Sequence, residues 1–375
     1  MKIVYCINGL YNSGGMERIL TEKANYLLEN YNYDIDIITT DQKNKENFYK
    51  LNEKINCIDL NINYIDDLKK SFFKRVFGYL NKQKKHEKKL EKVINDLKPD
   101  ILISLGCEDR NFLYKLKTKN IKVIREYHFN KKYMLQDKKK NFLYILKGYY
   151  RYIKEILLIN KYDEVIVLTK EDKEQWNNKK VKVIPNFINY IPKEVSNCKN
   201  KKIISVGRLE YQKGYDILIE VWNIISKEYP DWILEIYGEG PERENLQNKV
   251  NKLGLGKSFL LKGAVKNIQD KYLESSIYVM SSRFEGMPMV LLEAMSFGLP
   301  VVSFTCPCGP KDIIKNNEDG FLVDLENIEK MAEKIKKLIV DEEKRILFGK
   351  NAQKNIQRFS KNKIMKDWKK LFSET

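Results

Sequence analysis

The sequence predicts an α/β protein of two doubly wound parallel-sheet domains in tandem, and three observations carry that expectation. Short β-branched runs alternate with helical stretches along nearly the whole 375-residue chain. The alternation breaks once, in the Pro- and Asn-rich segment "IPNFINYIPKEVSNCKNK", and restarts near Lys201. The length exceeds one comfortable domain, and a hydrophobic content of 43% is ample for packed cores.

In the first half the runs read as strands are "KIVYCI", "DIDIITT", "DILISL", "IKVIRE", "DEVIVLT" and "VKVIPN". Helical patterns lie between most of them, over 16–30, 65–97, 108–119 and 137–161. The second half repeats the scheme with "KKIISVG", "WILEIYG", "SFLLKG", "SIYVMSS", "PVVSF" and "GFLV". In sheets of this kind a ligand is expected in the crevice outside the carboxyl ends of the strands.

Several classes are set aside by what the chain lacks. The opening run "IVYCINGL" is too short for a signal sequence, and no apolar stretch of 18 residues reads as a membrane span. The six cysteines are scattered and read as reduced thiols of a cytoplasmic protein. Cys306 and Cys308 form a C-x-C without the further ligands a tetrahedral site needs, so no metal is expected there.

The charge is large and local. Lys and Arg number 69 against 51 acids, a net charge of +18. Residues 69–92 hold ten basic and two acidic side chains, and residues 131–161 hold nine and two. Both interleave charge with bulky apolar groups, as in "KKSFFKRVFGYL" and "KKKNFLYILKGYYRYIKEILL". Basic amphipathic helices suit an anionic membrane surface, and a solvated helix face on a lysine-rich chain is the other reading. No nucleic-acid module accompanies the charge, so nucleic acid is not expected as a partner.

Phosphate-handling signals fall at corresponding places in the two halves. "CINGLYNSGGMERIL" runs strand, loop, helix; Gly14 and Gly15 admit a ligand close to the backbone, and the helix opening near Met16 offers unpaired N–H groups. "SVGRLEYQKGYDILI" repeats the arrangement with Arg208 and Lys213 at the turn. Two fixed cations above a helix N-terminus suit a diphosphate.

The stretch "RFEGMPMVLLEAMSFGLP" adds carboxylates. Pro288 suits the first turn of a helix that Gly298 ends. Glu285 then lies in the loop at a strand's carboxyl end, and Glu293 lies in the early turns of the helix. Amides of residues 286–291, those of Gly286, Met287, Val290 and Leu291 among them, are expected to face the same space. A carboxylate accepting two hydroxyl hydrogen bonds beside backbone donors can hold a sugar or a ribose.

Together these residues resemble the E-x7-E motif of the retaining glycosyltransferases of family 4. "GGMER", "VIPN", "VGRLEYQKG" and "IYGEGPERENL" fall in that family's order, with the resemblance strongest from Ile203 to Val323 and weak from Thr40 to Ile101. The chain is similar to bacterial members that build capsule, O-antigen or other surface polysaccharides. The resemblance implies the GT-B fold, with an acceptor-binding domain over 1–192, a nucleotide-sugar-binding domain over 193–357 and a returning helix over 358–375. It implies that Arg208 and Lys213 clamp the donor diphosphate, that Glu293 takes the ribose, and that Glu285 with the amides of Gly286 and Met287 meets the transferred sugar. Gly14 and Gly15 correspond to the loop beneath the distal phosphate.

The chain has two histidines. His128 stands in "REYHFN", where relatives carry Ser-Glu-His near the donor sugar, and is the expected catalytic histidine. His86, in the lysine-rich helix, is expected to be solvent-exposed.

The implied donor is a nucleoside-diphosphate sugar, with uridine diphosphate the commonest carrier in the family. The implied acceptor is a saccharide or a lipid-linked saccharide at the inner face of the cytoplasmic membrane. No cofactor is expected. The only Asp-x-Asp, Asp34 and Asp36, falls inside a predicted strand, so charge growing on the leaving diphosphate is assigned to cations and amides rather than metal. A nicotinamide oxidoreductase would need the G-x-G-x-x-G fingerprint, which is missing. A non-catalytic binder of nucleotide sugars or membrane surfaces with the same fold remains the alternative.

Overall fold

A computed structural model describes residues 1–67, 72–106, 108–130, 142–188 and 190–374. The chain divides into two compact units, Met1–Leu168 with Asp172–Ile184 and Ile364–Thr375, and Thr169–Glu171 with Pro185–Lys363. Lys138, Lys139 and Lys140, with all of 131–141 and residues 68–71, lie outside the described residues.

The first unit is built on a seven-stranded, wholly parallel sheet. Its elements run β1 (Lys2–Ile7), α1 (Gly15–Tyr31), β2 (Asp34–Thr39), β3 (Asn56–Asp59), α2 (Phe72–Leu97), β4 (Ile101–Ser104), β5 (Lys122–Glu126), α3 (Phe142–Ile159), β6 (Glu164–Val167), α4 (Lys170–Trp176) and β7 (Val181–Val183). The strand order is β3-β2-β1-β4-β5-β6-β7, so the winding reverses between β1 and β4. Period-2 alternation divides each strand between two faces. Val4, Cys6, Leu102, Val123 and Val165 meet Leu90 and Ile94 of α2 and Ile159 of α3 in one core.

Three expectations change here. The helical pattern over 108–119 resolves into two short 3-10 turns, Glu108–Asn111 and Leu113–Leu116, because Phe112 between them leaves helical geometry at φ −141°. The strand β3 has no counterpart among the predicted runs. His86 is buried, not exposed. It continues the core stripe of Leu90 and Ile94 at four-residue spacing, its ring lies edge-on to Phe112, and its Nδ1 is 3.1 Å from the Tyr64 hydroxyl. Burial pushes its pKa down to about 4.

The second unit repeats the architecture with six parallel strands. Its elements are β8 (Lys202–Val206), α5 (Tyr215–Ile225), β9 (Ile233–Tyr237), α6 (Arg243–Lys252), β10 (Phe259–Gly263), α7 (Ile268–Leu273), β11 (Ile277–Met280), α8 (Met289–Ser296), β12 (Val301–Phe304), α9 (Pro310–Ile313), β13 (Gly320–Val323), α10 (Ile328–Val340) and α11 (Glu342–Ile356). The order β10-β9-β8-β11-β12-β13 puts the switch point between β8 and β11. Ile203, Leu234, Ile277 and Val302 form its core with Leu218 and Trp222 of α5 and Met331 and Ile335 of α10.

A last helix, α12 (Lys361–Ser373), buries Ile364, Met365, Trp368, Leu371 and Phe372. Lys122 Nζ donates to Leu371 O at 3.3 Å, within the first unit. Among the described residues no helix is long and apolar enough to cross a membrane.

Candidate functional site

In the second unit the site residues gather where the sheet winding reverses. Arg208 and Lys213 follow β8, Glu285 follows its neighbour β11, and Glu293 rides on α8 behind that loop. Two turns must approach closely for this. Gly214 sits at φ +64°, and a Cβ on it would lie 2.1 Å from Ser281 O. Only glycine satisfies both the left-handed backbone and that contact. The Ser281 hydroxyl completes the seam by donating to Lys213 O at 2.8 Å.

Lys213 Nζ donates to Glu285 Oε1 at 2.7 Å. The two side chains are 16% and 7% exposed, so the attraction is only partly screened by water. Gln212 works from the other side: its Nε2 donates to Phe284 O at 2.9 Å and lies 3.4 Å from Glu285 Oε2. The N–H of Arg283 donates to Gln212 O at 2.7 Å. Gln212 thereby stitches the β8 turn to the Glu285 loop, a role not visible in its sequence position.

Arg283 is the second residue missed. Its guanidinium donates to both Asp216 carboxylate oxygens at 2.8 Å and to Glu326 at 2.8 Å, and it lies over the Tyr211 ring at 4.0 Å. Burial acts upward on the Asp216 carboxyl, but Arg283 outweighs it and holds that group below its ordinary range. A planar bidentate fork of this kind locks the loop that carries Glu285.

Arg208 stands apart from this network. Its side chain is 71% exposed, and Nη1 lies 3.2 Å from Glu210 Oε1. Glu293 Oε2 lies 3.4 Å from the hydroxyl of buried Tyr272. The N–H of Leu291 donates to Pro288 O at 3.1 Å, closing the first turn of α8. Among the described residues no acceptor stands against the N–H groups of Gly286, Met287 or Val290.

The loop after β12 buttresses the one after β11. Pro307 O accepts the Glu285 N–H at 3.2 Å, and a Cβ on Gly309, at φ +114°, would lie 2.4 Å from Pro288 Cδ. Cys306 and Cys308 are fully buried there, and burial pushes the Cys306 thiol well up. The C-x-C is thus packing. Among the described residues no group of three His, Cys, Asp or Glu stands together as a metal site. Asp34 and Asp36 each lie 3.4 Å from Lys2 Nζ at the amino end of β2, away from the strands' carboxyl ends.

In the first unit the corresponding groups also sit at carboxyl ends. Gly14 precedes α1 without a side-chain cap, and Gly15 is the helix's first residue. The Glu17 carboxylate folds across Gly14, since a Cβ there would fall 2.1 Å from Glu17 Oε2. An acid in the first turn suits the positive helix end. His128 lies two residues past β5, its side chain 6% exposed and Nε2 3.2 Å from Glu126 Oε1.

Two family models cover most of the chain between them: "Glycosyltransferase Family 4" matches residues 13–190, and "Glycosyl transferases group 1" matches residues 186–355. An uncharacterized glycosyltransferase of Haemophilus influenzae is 31% identical over 98% of this chain and 99% of its own length. A Campylobacter jejuni relative is 28% identical over 100% and 99%. It is named GalNAc-alpha-(1->4)-GalNAc-alpha-(1->3)-diNAcBac-PP-undecaprenol alpha-1,4-N-acetyl-D-galactosaminyltransferase. The crystal structure of Anabaena HepE in complex with UDP superposes with a TM-score of 0.76 at 17% identity, covering all of both chains. The two switch-point sheets and the full-length relationship lead to one conclusion: this chain belongs to the family 4 glycosyltransferases and has the GT-B fold.

Proposed function

We propose that the protein is a retaining, metal-independent hexosyl- or N-acetylhexosaminyltransferase that uses a nucleoside-diphosphate sugar, with UDP as the carrier. The acceptor in this reading is a growing polyprenyl-linked saccharide in capsule, O-antigen or exopolysaccharide synthesis. The observation that carries the reading is the Lys213–Glu285 contact at the β8/β11 switch point. A cation suited to a diphosphate and a carboxylate suited to a sugar stand in contact, as a sugar-diphosphate ester requires. The lipid-linked acceptor in the Campylobacter relative's name and the UDP bound by the Anabaena protein support the acceptor and donor classes.

In this reading Arg208, Lys213 and the amides of Val290 and Leu291 stabilise charge that grows on the leaving diphosphate, while the amides of Gly286 and Met287 face the transferred sugar. Glu285 and His128 contact the sugar, Glu293 takes the ribose, and Gly14 and Gly15 admit the distal phosphate. The departing phosphate assists deprotonation of the acceptor, and the sugar keeps its anomeric configuration. Fixed cations and amides supply the stabilisation a metal would otherwise give.

The acceptor implies a membrane surface, and α3 supports one. Leu146, Tyr149, Tyr150, Ile153 and Leu157 are all exposed and repeat at helical spacing along one face, with Arg151 and Lys154 also exposed. On α2, Val76, Phe77 and Leu80 are likewise exposed. An apolar stripe with basic residues in the same helix fits shallow insertion into an anionic leaflet. The protein would act as a peripheral enzyme on the inner face of the cytoplasmic membrane. Incubation with UDP-sugars and polyprenyl-diphosphate-linked saccharides tests the reading: the anomeric proton coupling of the product should match that of the donor. An inverted product would refute retention, and no transfer from any UDP-sugar would refute the donor class.

A further inference from the structure

Lys23 is a charged side chain with no exposed surface, on the face of α1 that packs inward. Its ammonium donates to both carboxylate oxygens of Glu126, at 2.8 and 2.6 Å, and lies 3.9 Å from the Trp368 ring and 5.2 Å from the Tyr5 ring. Removing two charges from water is costly, and a well-packed apolar pair of similar volume is often as stable or more so. The pair therefore calls for a purpose beyond stability.

The purpose is suggested by what else touches Glu126. His128 Nε2 lies 3.2 Å from Glu126 Oε1, without the alignment of a hydrogen bond, and it is buried with no other partner among the described residues. Glu126 closes β5, and alternation sends Tyr127 to the opposite face. There the Tyr127 hydroxyl donates to Glu155 Oε2 at 2.6 Å, and its ring lies 5.0 Å from that of Trp176. Both residues before His128 are thus tied down, one from each face of the sheet.

We infer that Glu126, fixed by Lys23, is the positioning residue of His128: it keeps the imidazole proton on Nε2 and leaves Nδ1 as the acceptor for a ligand hydroxyl. A lone pair on Nε2 would face a carboxylate oxygen at 3.2 Å and be repelled, whereas an N–H there is attracted. Burial acts upward on Glu126, but Lys23 and His128 outweigh it and hold its carboxyl down to about 2, so the carboxylate is charged at neutral pH. The titratable groups around the pair are Tyr5, Lys23 and His128. This inference rests on the proposal that His128 contacts the donor sugar.

Nitrogen-15 NMR of the full chain reads the tautomer directly, because there are two histidines and His128→Gln identifies the second set of signals. His128 should carry its proton on Nε2 in the parent. In the apolar pair Lys23→Met with Glu126→Leu, designed to retain packing, both tautomers should appear. Sugar transfer should then fall by about 10- to 100-fold, as for lost orienting partners, mainly in kcat. Lys23→Arg, which keeps the charge, should preserve the parental tautomer. A proton on Nδ1 in the parent, or an unchanged tautomer in the apolar pair, overturns the inference. UDP binding by the parent is scored separately: its absence would sink the donor reading while the NMR result still decides the positioning role.

Discussion

Lys213 and Glu285 neutralise one another across 2.7 Å, so the proposed diphosphate cation and sugar carboxylate hold each other in place before a donor arrives. A donor would exchange this pair for two contacts of its own. The arrangement preorganises both groups at the cost of breaking one partly buried ion pair.

Arg208→Ala and Lys213→Ala should each cost about 2–4 kcal/mol of transition-state stabilisation in sugar transfer. Their effects on folding should differ. Arg208 is exposed, so its loss should leave Tm nearly unchanged. Lys213→Ala takes the cation from the buried Glu285 carboxylate and should lower stability by about 1–3 kcal/mol. Steady-state kinetics and thermal melts of the two variants check this, and a parental transfer rate in either would contradict the clamp.

Gln212 and Arg283 show where sequence reading stops. The carbonyl of one accepts from the N–H of the other across 2.7 Å, yet they are 71 positions apart, and spacing carries no record of such a contact. The alternation of strands and helices was legible because hydrophobic period is local. The strand β3 was not, since "NCID" has one β-branched residue between groups that disfavour strands. His86 was hidden by the lysines flanking it, which cover the solvent side of α2 while its own face continues Leu90 and Ile94.

That histidine yields a pH prediction. Its pKa is near 4 in the folded chain and about 6.5 when unfolded, so the folded state resists a proton that the unfolded state takes up. The stability is fully present above about pH 6.5 and is lost as pH falls toward 4. Between pH 7 and 5 the parent should lose about 2 kcal/mol relative to His86→Gln. Asp109 acts in the opposite sense: burial raises its carboxyl to about 6, so its contribution weakens as pH rises through that window. Denaturant melts of parent and variant at both pH values isolate the histidine, and a constant difference between them would contradict its burial.

Transfer should persist in excess chelator, since the proposed mechanism has the cations and amides at the β8/β11 loops meet the leaving charge. Loss of activity that magnesium or manganese restores would contradict metal independence.

The protein should sediment with anionic liposomes at low salt, ignore neutral ones, and be released by about 0.5 M salt. Each engaged basic side chain contributes about 1 kcal/mol. Charge reversal at Lys138, Lys139 and Lys140 should weaken binding, as should Tyr150→Asp with Ile153→Asp on the exposed stripe of α3. Equal binding to both lipids, or none to either, would leave α3 a solvated face.

The loops after β8 and β11 are proposed to form a nucleoside-diphosphate site, which a thermal melt with UDP reads without an acceptor. At a hundredfold excess over Kd, UDP should stabilise the parent by about 2.7 kcal/mol and raise Tm by several degrees. Lys213→Ala should lose most of that rise while its melt stays cooperative. An unmoved parental Tm with every nucleoside diphosphate, or a full response in Lys213→Ala, would contradict the account.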